Sequence, residues 1–182
     1  PNHIELVAEK LTLQGIIDPV LAKYCVPYVI SRGYCSLDPR YQMVQRFEAC
    51  GSEKLVLVAL ADFDPDGEAI AHCFVRSLRD DFGLEKVHAV KAALTEEQVA
   101  EFQLPPRHEA KRKSANHDKF VERHGKHVYE LEALPPHVLQ GVLTRTLDQM
   151  IDTDLFNYEI ECEKQDAADL AAFRRRAVGL LR

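Results

Sequence analysis

The stretch Leu55–Ala61, LVLVALA, constrains the fold of this chain more than any other. Its residues are all apolar, so a strand built from them has no face fit for water. A strand with one wet face would alternate apolar and polar. An unbroken apolar run marks a central strand of a parallel sheet covered by helices on both sides. The run is far too short to cross a membrane. The neighbouring segments suit that setting. Ile4–Ala8 and Pro27–Ser31 read as strands, and Leu11–Tyr24 as a helix with Leu13, Ile16, Ile17, Val20 and Leu21 on one stripe. Ser36 or Asp38 is placed to cap a helix from Pro39 to about Cys50. A helix from Pro65 to about Asp81, closed by Gly83, precedes a fourth strand at Val87–Ala92. This rhythm predicts a doubly wound α/β domain with right-handed crossovers.

The remainder is less regular. A short helix is predicted at Thr95–Phe102, then a mobile loop over Arg107–Lys119 with a basic cluster at Lys111–Lys113. His127–Glu132 reads as a last strand. Pro135-Pro136 opens a helix to about Ile151, and a helical tail follows from Asp154. The predicted domains are an α/β unit over residues 1–134 and a helical C-terminal extension over 135–182 packed on it. With 182 residues, 46% hydrophobic and 29% charged, the chain suits one domain with a helical appendage and excludes wholesale disorder. Five cysteines (Cys25, Cys35, Cys50, Cys73, Cys162) without a C-x-x-C spacing argue for free thiols in a reducing cytoplasm. No secretory signal pattern is visible. The first residue is Pro1, which fits either removal of an initiator Met or a fragment of a longer protein. A net charge of −6 excludes a protein that grips nucleic acid by bulk positive charge alone, but not one that holds phosphates through bound metal.

The chemistry is concentrated just after the central run, in Ala61-Asp-Phe-Asp-Pro-Asp-Gly67. Strand periodicity puts Asp62 and Asp64 on one side, at the carboxyl end where open α/β sheets bind ligands. Asp66 follows in the turn. Carboxylates this close repel, and a hard divalent cation is the usual relief. A purely structural role exists for Asp64, which precedes Pro65 as a helix N-cap. It leaves Asp62 and Asp66 unexplained. The spacing opens like an EF-hand calcium loop, but that loop's essential Glu would fall at Cys73, and the motif follows a strand. Haloacid-dehalogenase-type phosphatases also carry D-x-D after an apolar strand, yet want Gly-Thr where this chain has Pro65-Asp66. That reading is the runner-up. The third reading is a catalytic magnesium site that needs one more acid. Glu9, at the carboxyl end of the first strand, lies on the same sheet edge and supplies it.

Val7-Ala-Glu-Lys-Leu11, followed about fifty residues later by the Asp62–Gly67 motif, resembles the Toprim domain of primases, type IA and type II topoisomerases and OLD-type nucleases. Arg32-Gly33-Tyr34-Cys35-Ser36 and the Asp64-Pro-Asp-Gly67 turn resemble the A subunit of type IIB topoisomerases and related meiotic recombination proteins. Tyr129-Glu-Leu-Glu-Ala-Leu-Pro-Pro136 resembles the final strand and helix of phage and bacterial Toprim proteins. The resemblance covers roughly residues 4–153. It implies a Toprim (Rossmann-like) mainly parallel sheet, with Glu9 as general base or metal ligand and Asp62 and Asp64 holding Mg²⁺, or Mn²⁺ in its place. Asp66 is carried over as a further metal residue. The implied chemistry is phosphodiester cleavage of nucleic acid, with DNA the expected form. None of the six tyrosines stands where a type IIB topoisomerase carries its cleaving tyrosine, on a head preceding this domain. A topoisomerase therefore implies a missing N-terminal domain or a partner, whereas a nuclease using water needs no tyrosine. A non-catalytic module that binds DNA or a partner protein is the alternative.

Secondary candidates follow from charge and position. Lys10, Arg32, Lys111, Arg112 and Lys113, with Lys119, are candidate phosphate contacts. Glu130 and Glu132 share one face of the expected last strand, and Glu132 is a candidate ligand for a second metal. The chain has no P-loop motif.

Overall fold

The computed structural model describes residues 2–31 and 36–180. Among them the elements run β1 (Asn2–Ala8), α1 (Gln14–Lys23), β2 (Tyr28–Ile30), α2 (Leu37–Cys50), β3 (Lys54–Leu60), α3 (Pro65–Phe82), β4 (Val87–Ala93), α4 (Glu96–Glu101), β5 (His108–Glu109), α5 (His117–His124), β6 (His127–Val128), α6 (Pro136–Asp148) and α7 (Thr153–Leu180). The chain divides into two compact units, residues 1–144 and 145–182. The sequence-based boundary at 134 falls earlier, ahead of α6.

The first unit is built on a four-stranded parallel sheet in the order β2-β1-β3-β4, flanked by helices. The chain moves outward from β1 to β2, then returns across β1 to β3 and on to β4. That reversal creates a switch point between β1 and β3, where the strand ends diverge and leave a crevice. Ala8 pairs with Leu60, so Glu9 and Ala61 emerge side by side at the carboxyl edge.

Burial explains why the Leu55–Ala61 run has no polar member. Leu55, Leu57 and Ala61 pack with Val7, with Met43 and Val44 of α2, and with Ile70, Phe74 and Leu78 of α3. On the opposite face Leu6, Val56, Val58 and Leu60 are equally buried. Each such side chain contributes roughly 1.5–3 kcal/mol when removed from water. Beside them, Glu5 is fully buried on β1 and held by the Arg46 guanidinium at 2.6 and 2.9 Å.

Two expectations are corrected. The stretch 107–119, expected as a mobile loop, contains β5 and leads into α5. The expected last strand at 127–132 shrinks to His127–Val128, followed by a 3-10 turn at Leu131–Ala133. The reason lies at Phe63 and Tyr129, which exchange both backbone hydrogen bonds at 2.9 and 3.0 Å. The segment therefore crosses the end of β3 and pairs antiparallel with β5 instead of extending the main sheet. The Phe63 ring is packed by Phe120, His124 and Tyr129, which seats α5 against the same edge.

In the second unit, α7 is a long helix with Leu155, Tyr158, Leu170 and Phe173 exposed. Among the described residues no helix is long and apolar enough to cross a membrane.

Candidate functional site

The switch point brings Glu9 and Asp62 into direct contact. The Asp62 backbone N–H donates to Glu9 Oε2 at 3.3 Å, while the Glu9 N–H donates to the Leu60 carbonyl at 2.9 Å. Burial, and then the charge of Asp62, push the Glu9 carboxyl above the usual glutamate range, with Asp64 adding to the effect. The Asp62 N–H and Lys10 oppose it without cancelling it. Asp62 is nearly buried, and both its oxygens have partners. Oδ1 accepts from the Leu131 N–H at 2.8 Å, and Oδ2 lies 2.9 Å from Lys10 Nζ.

Asp64 is the N-cap of α3. Its backbone is extended, and Oδ1 accepts from the N–H groups of Asp66 and Gly67 at 3.1 and 2.7 Å, with Pro65 at the first helical position. The cap uses Oδ1, and among the described residues Oδ2 has no hydrogen-bond or ion-pair partner. Asp66 is exposed and accepts from the Ser114 hydroxyl at 2.7 Å, which ties the β5–α5 loop to the start of α3. Gly67 packs so closely on Asp62 that a Cβ there would lie 2.2 Å from the Asp62 carbonyl oxygen.

Two lysines complete the edge. Lys10 bridges Asp62 and Glu132, 3.0 Å from Glu132 Oε2, and Glu132 also accepts from the Thr12 hydroxyl. The hydroxyl of Thr12 first, and Lys10 next, hold the Glu132 carboxyl below its ordinary range. Lys91 is nearly buried and donates to the Asp62 carbonyl at 2.9 Å and to Glu68 at 2.6 Å. A register shift between β3 and β4 follows it, with Ala59 opposite Lys91 and Leu60 opposite Ala93. Such irregularities re-aim side chains at sheet rims. Burial holds the Lys91 ammonium below its ordinary range despite Glu68.

The candidates from sequence thus fall into groups. Glu9, Asp62, Asp64, Asp66, Lys10 and Glu132 share one edge. Glu132 stands in a turn, and Glu130 faces Arg107 at 3.5 Å. Lys111, Arg112 and Lys113 are exposed on the loop that Ser114 fastens to Asp66. Arg32 lies outside the described residues. Sequence reasoning missed Lys91, Glu68, Thr12, Ser114 and the Leu131 N–H. Only Lys91 left a trace, as the one charge in an otherwise apolar strand end (Val90-Lys-Ala-Ala93).

Glu9, Asp62 and Asp64 offer only oxygen donors, the set that hard divalent cations take. Among the described residues no three carboxylate, imidazole or thiol groups are gathered closely enough to hold a metal ion by themselves. Magnesium in phosphoryl-transfer sites keeps several waters and binds one or two carboxylates plus substrate oxygens. The oxygen donors have the chemistry of an open site of that kind, with Asp62 already holding the Leu131 N–H and Lys10.

Fold and site together define a doubly wound α/β protein with an acidic carboxyl edge at its switch point. Compared with protein-family models, curated proteins and solved structures, the chain has no match.

Proposed function

We propose that the chain is a Toprim-type domain that cleaves the phosphodiester backbone of nucleic acid, DNA above all, with Mg²⁺ or Mn²⁺ held by Asp62 and Asp64 and bordered by Glu9. The supporting observation is the contact of Glu9 with Asp62 at the switch point, with Asp64 on the adjoining helix cap. Bound Mg²⁺ supplies charge neutralisation at the non-bridging phosphate oxygens. Glu9, with its raised affinity for a proton, accepts one from the attacking water or hydroxyl. Lys10 places a positive charge beside Asp62, where negative charge grows as the phosphodiester bond breaks. Lys91 fixes the Asp62 backbone from below. The unpaired Cys25, Cys50, Cys73 and Cys162 suit a cytoplasmic setting.

Nicking of supercoiled plasmid tests this reading. Wild type is expected to nick with Mg²⁺ or Mn²⁺ and not with EDTA, and Glu9→Gln and Asp62→Asn to lose about 100-fold or more, the scale of a general base or metal ligand. A second reading has its own support: both Asp62 oxygens are already partnered, as in a module that binds DNA or a protein without cutting it. Absence of nicking, with both variants binding DNA like wild type, selects that module. Turnover of a small phosphate ester that Asp62→Asn abolishes and Glu9→Gln tolerates would select the phosphatase.

A further inference from the structure

A cleft of about 370 Å³ opens beside the carboxylate edge, between the first turns of α3 and the length of α5. Its floor is Pro65, Ala69 and the buried Phe120. Its walls are two facing stripes at helical spacing, His72 and Arg76 on α3, Lys119 and Arg123 on α5. Arg76, Lys119 and Arg123 are exposed, and no carboxylate among the described residues lies within ion-pair distance of any of them. The carboxylate in the lining, Glu68, is already neutralised by Lys91 at 2.6 Å. His124 closes one end with Nδ1 held by Glu96 at 2.6 Å, which leaves Nε2 as the ring nitrogen a ligand can meet.

Helix stability accounts for Arg123, which stands in the last turn of α5 where a cation is favoured, but not for Lys119, whose like charge four residues earlier opposes it. Arg76, Lys119 and Arg123 gather three cations, unpaired among the described residues, around one concavity of a chain whose net charge is −6. The α3 turn that floors the cleft also carries Asp64 and Asp66, so an anion in the cleft continues directly from the carboxylate edge.

We propose that the α3–α5 cleft binds the phosphodiester backbone, with Arg76, Lys119 and Arg123 contacting phosphates that flank the one at Glu9 and Asp62. The inference rests on the nucleic-acid reading but not on cutting.

Its test is binding, measured without metal. The 182-residue chain is titrated in EDTA against fluorescein-labelled DNA, single-stranded and duplex, by anisotropy at salt from about 50 to 200 mM. The variant Arg76→Ala/Lys119→Ala/Arg123→Ala is expected to bind more weakly at every salt. The slope of log K against log salt should fall by about 0.7 per lost contact on single strands and about 0.9 on duplex. Arg76→Ala alone is expected to weaken binding, whereas Arg79→Ala, which removes the same single charge from the far end of α3 where Arg79 pairs with Asp80, should match wild type. The replaced side chains are exposed, so the melting temperature serves as the check on folding. Wild-type affinity and slope in the triple variant overturn the proposal, as does a wild type that fails to bind DNA. Inorganic phosphate displacing the oligonucleotide at equal phosphate concentration would reveal a small-anion site and overturn it too. Loss of nicking with this binding pattern intact would refute cutting alone.

Discussion

Gly67 permits a test in which local propensity and tertiary packing predict opposite signs. It stands in the first turn of α3; Gly→Ala stabilises a helix interior by about 0.8–1 kcal/mol, which sets the upper limit of the gain here. Here the added Cβ would lie 2.2 Å from the Asp62 carbonyl oxygen, 3.1 Å from its carbon and 3.2 Å from its nitrogen. All three are backbone atoms, fixed by the parallel sheet and by the Lys91 bond to the same carbonyl. Relief to 3.0 Å, a limit that real contacts essentially never breach, needs a movement of 3.0 − 2.2 = 0.8 Å by helix or strand end. Overpacking of this kind costs about 1–3 kcal/mol, and a backbone obstacle belongs in the upper half of that range. Subtracting the propensity gain leaves Gly67→Ala about 1–2 kcal/mol less stable than wild type. Gly141 in α6 is the control, since its added Cβ would meet nothing within 4 Å, and Gly141→Ala should gain up to about 1 kcal/mol. Urea unfolding of the two variants gives the difference directly. Because the same movement displaces Asp64 and Asp66 from Asp62, metal-dependent nicking should fall as well. A Gly67→Ala protein as stable as wild type, or stabilised like Gly141→Ala, would refute the packing argument.

Replacing Asp64 separates its two roles: Asp64→Ala should lose about 1 kcal/mol of stability by urea unfolding, whereas Asp64→Asn keeps the cap within a few tenths and still loses metal-dependent nicking. Equal nicking by Asp64→Asn and wild type would leave Asp64 a cap alone. Arg46→Met strips the buried Glu5 of its guanidinium partner but leaves His3 Nε2 at 2.9 Å, so it should cost no more than about 3 kcal/mol, the low end for a broken buried pair, Arg46 being 37% exposed. Recovery of most of that loss in Glu5→Leu/Arg46→Met, read by thermal and urea unfolding, would confirm the charge as the cause. The folded state holds the Glu9 carboxyl above the ordinary 4.5, so between that value and the raised one it binds more protons than the unfolded chain. The Glu9 contribution is thus present below 4.5 and lost as pH rises through the folded value. Glu9→Gln should therefore gain stability relative to wild type as pH rises from 4.5 through the raised value, and a difference that stays constant as pH rises would contradict the burial argument.

How far the fold was legible depended on whether local pattern or distant contact decided each element. LVLVALA is apolar because both faces are buried, so its place at the sheet centre could be read from the run itself. Parallel order then put Glu9 beside Asp62, since strands running the same way end at the same edge. The last strand could not be read in that way. Residues 127–132 carry a strand-like pattern, but the Phe63–Tyr129 bridge and the bond from Leu131 N–H to Asp62 Oδ1 turn the chain after Val128. Both partners lie more than sixty residues away along the chain (|i−j| = 69 for Leu131–Asp62), where no periodicity reaches. Lys91 escaped for a similar reason, because its target is a backbone carbonyl, which carries no sequence signature. The basic loop was legible as charge, but its tether to the carboxylate turn runs through one serine hydroxyl.

The net charge of −6 shows the same difference between composition and placement. Summed over the chain, it argues against a phosphate-rich partner. Placed in the fold, its components separate. Glu132 and Asp62 share Lys10, Glu68 is matched by Lys91, and Glu5 is held by Arg46, so much of the acid around the sheet is paired internally. Arg76, Lys119 and Arg123 face the α3–α5 cleft without such partners among the described residues. A phosphate chain approaching this edge meets three unpaired cations beside a carboxylate pair suited to a divalent metal. Exposed charges more than a Debye length away, about 8–10 Å at ordinary salt, are largely screened from it. Under the proposed function, the local arrangement and not the sum is expected to set binding. Affinity should accordingly depend on salt through a few phosphate contacts, and removing distant acidic residues should change it far less than removing Arg123.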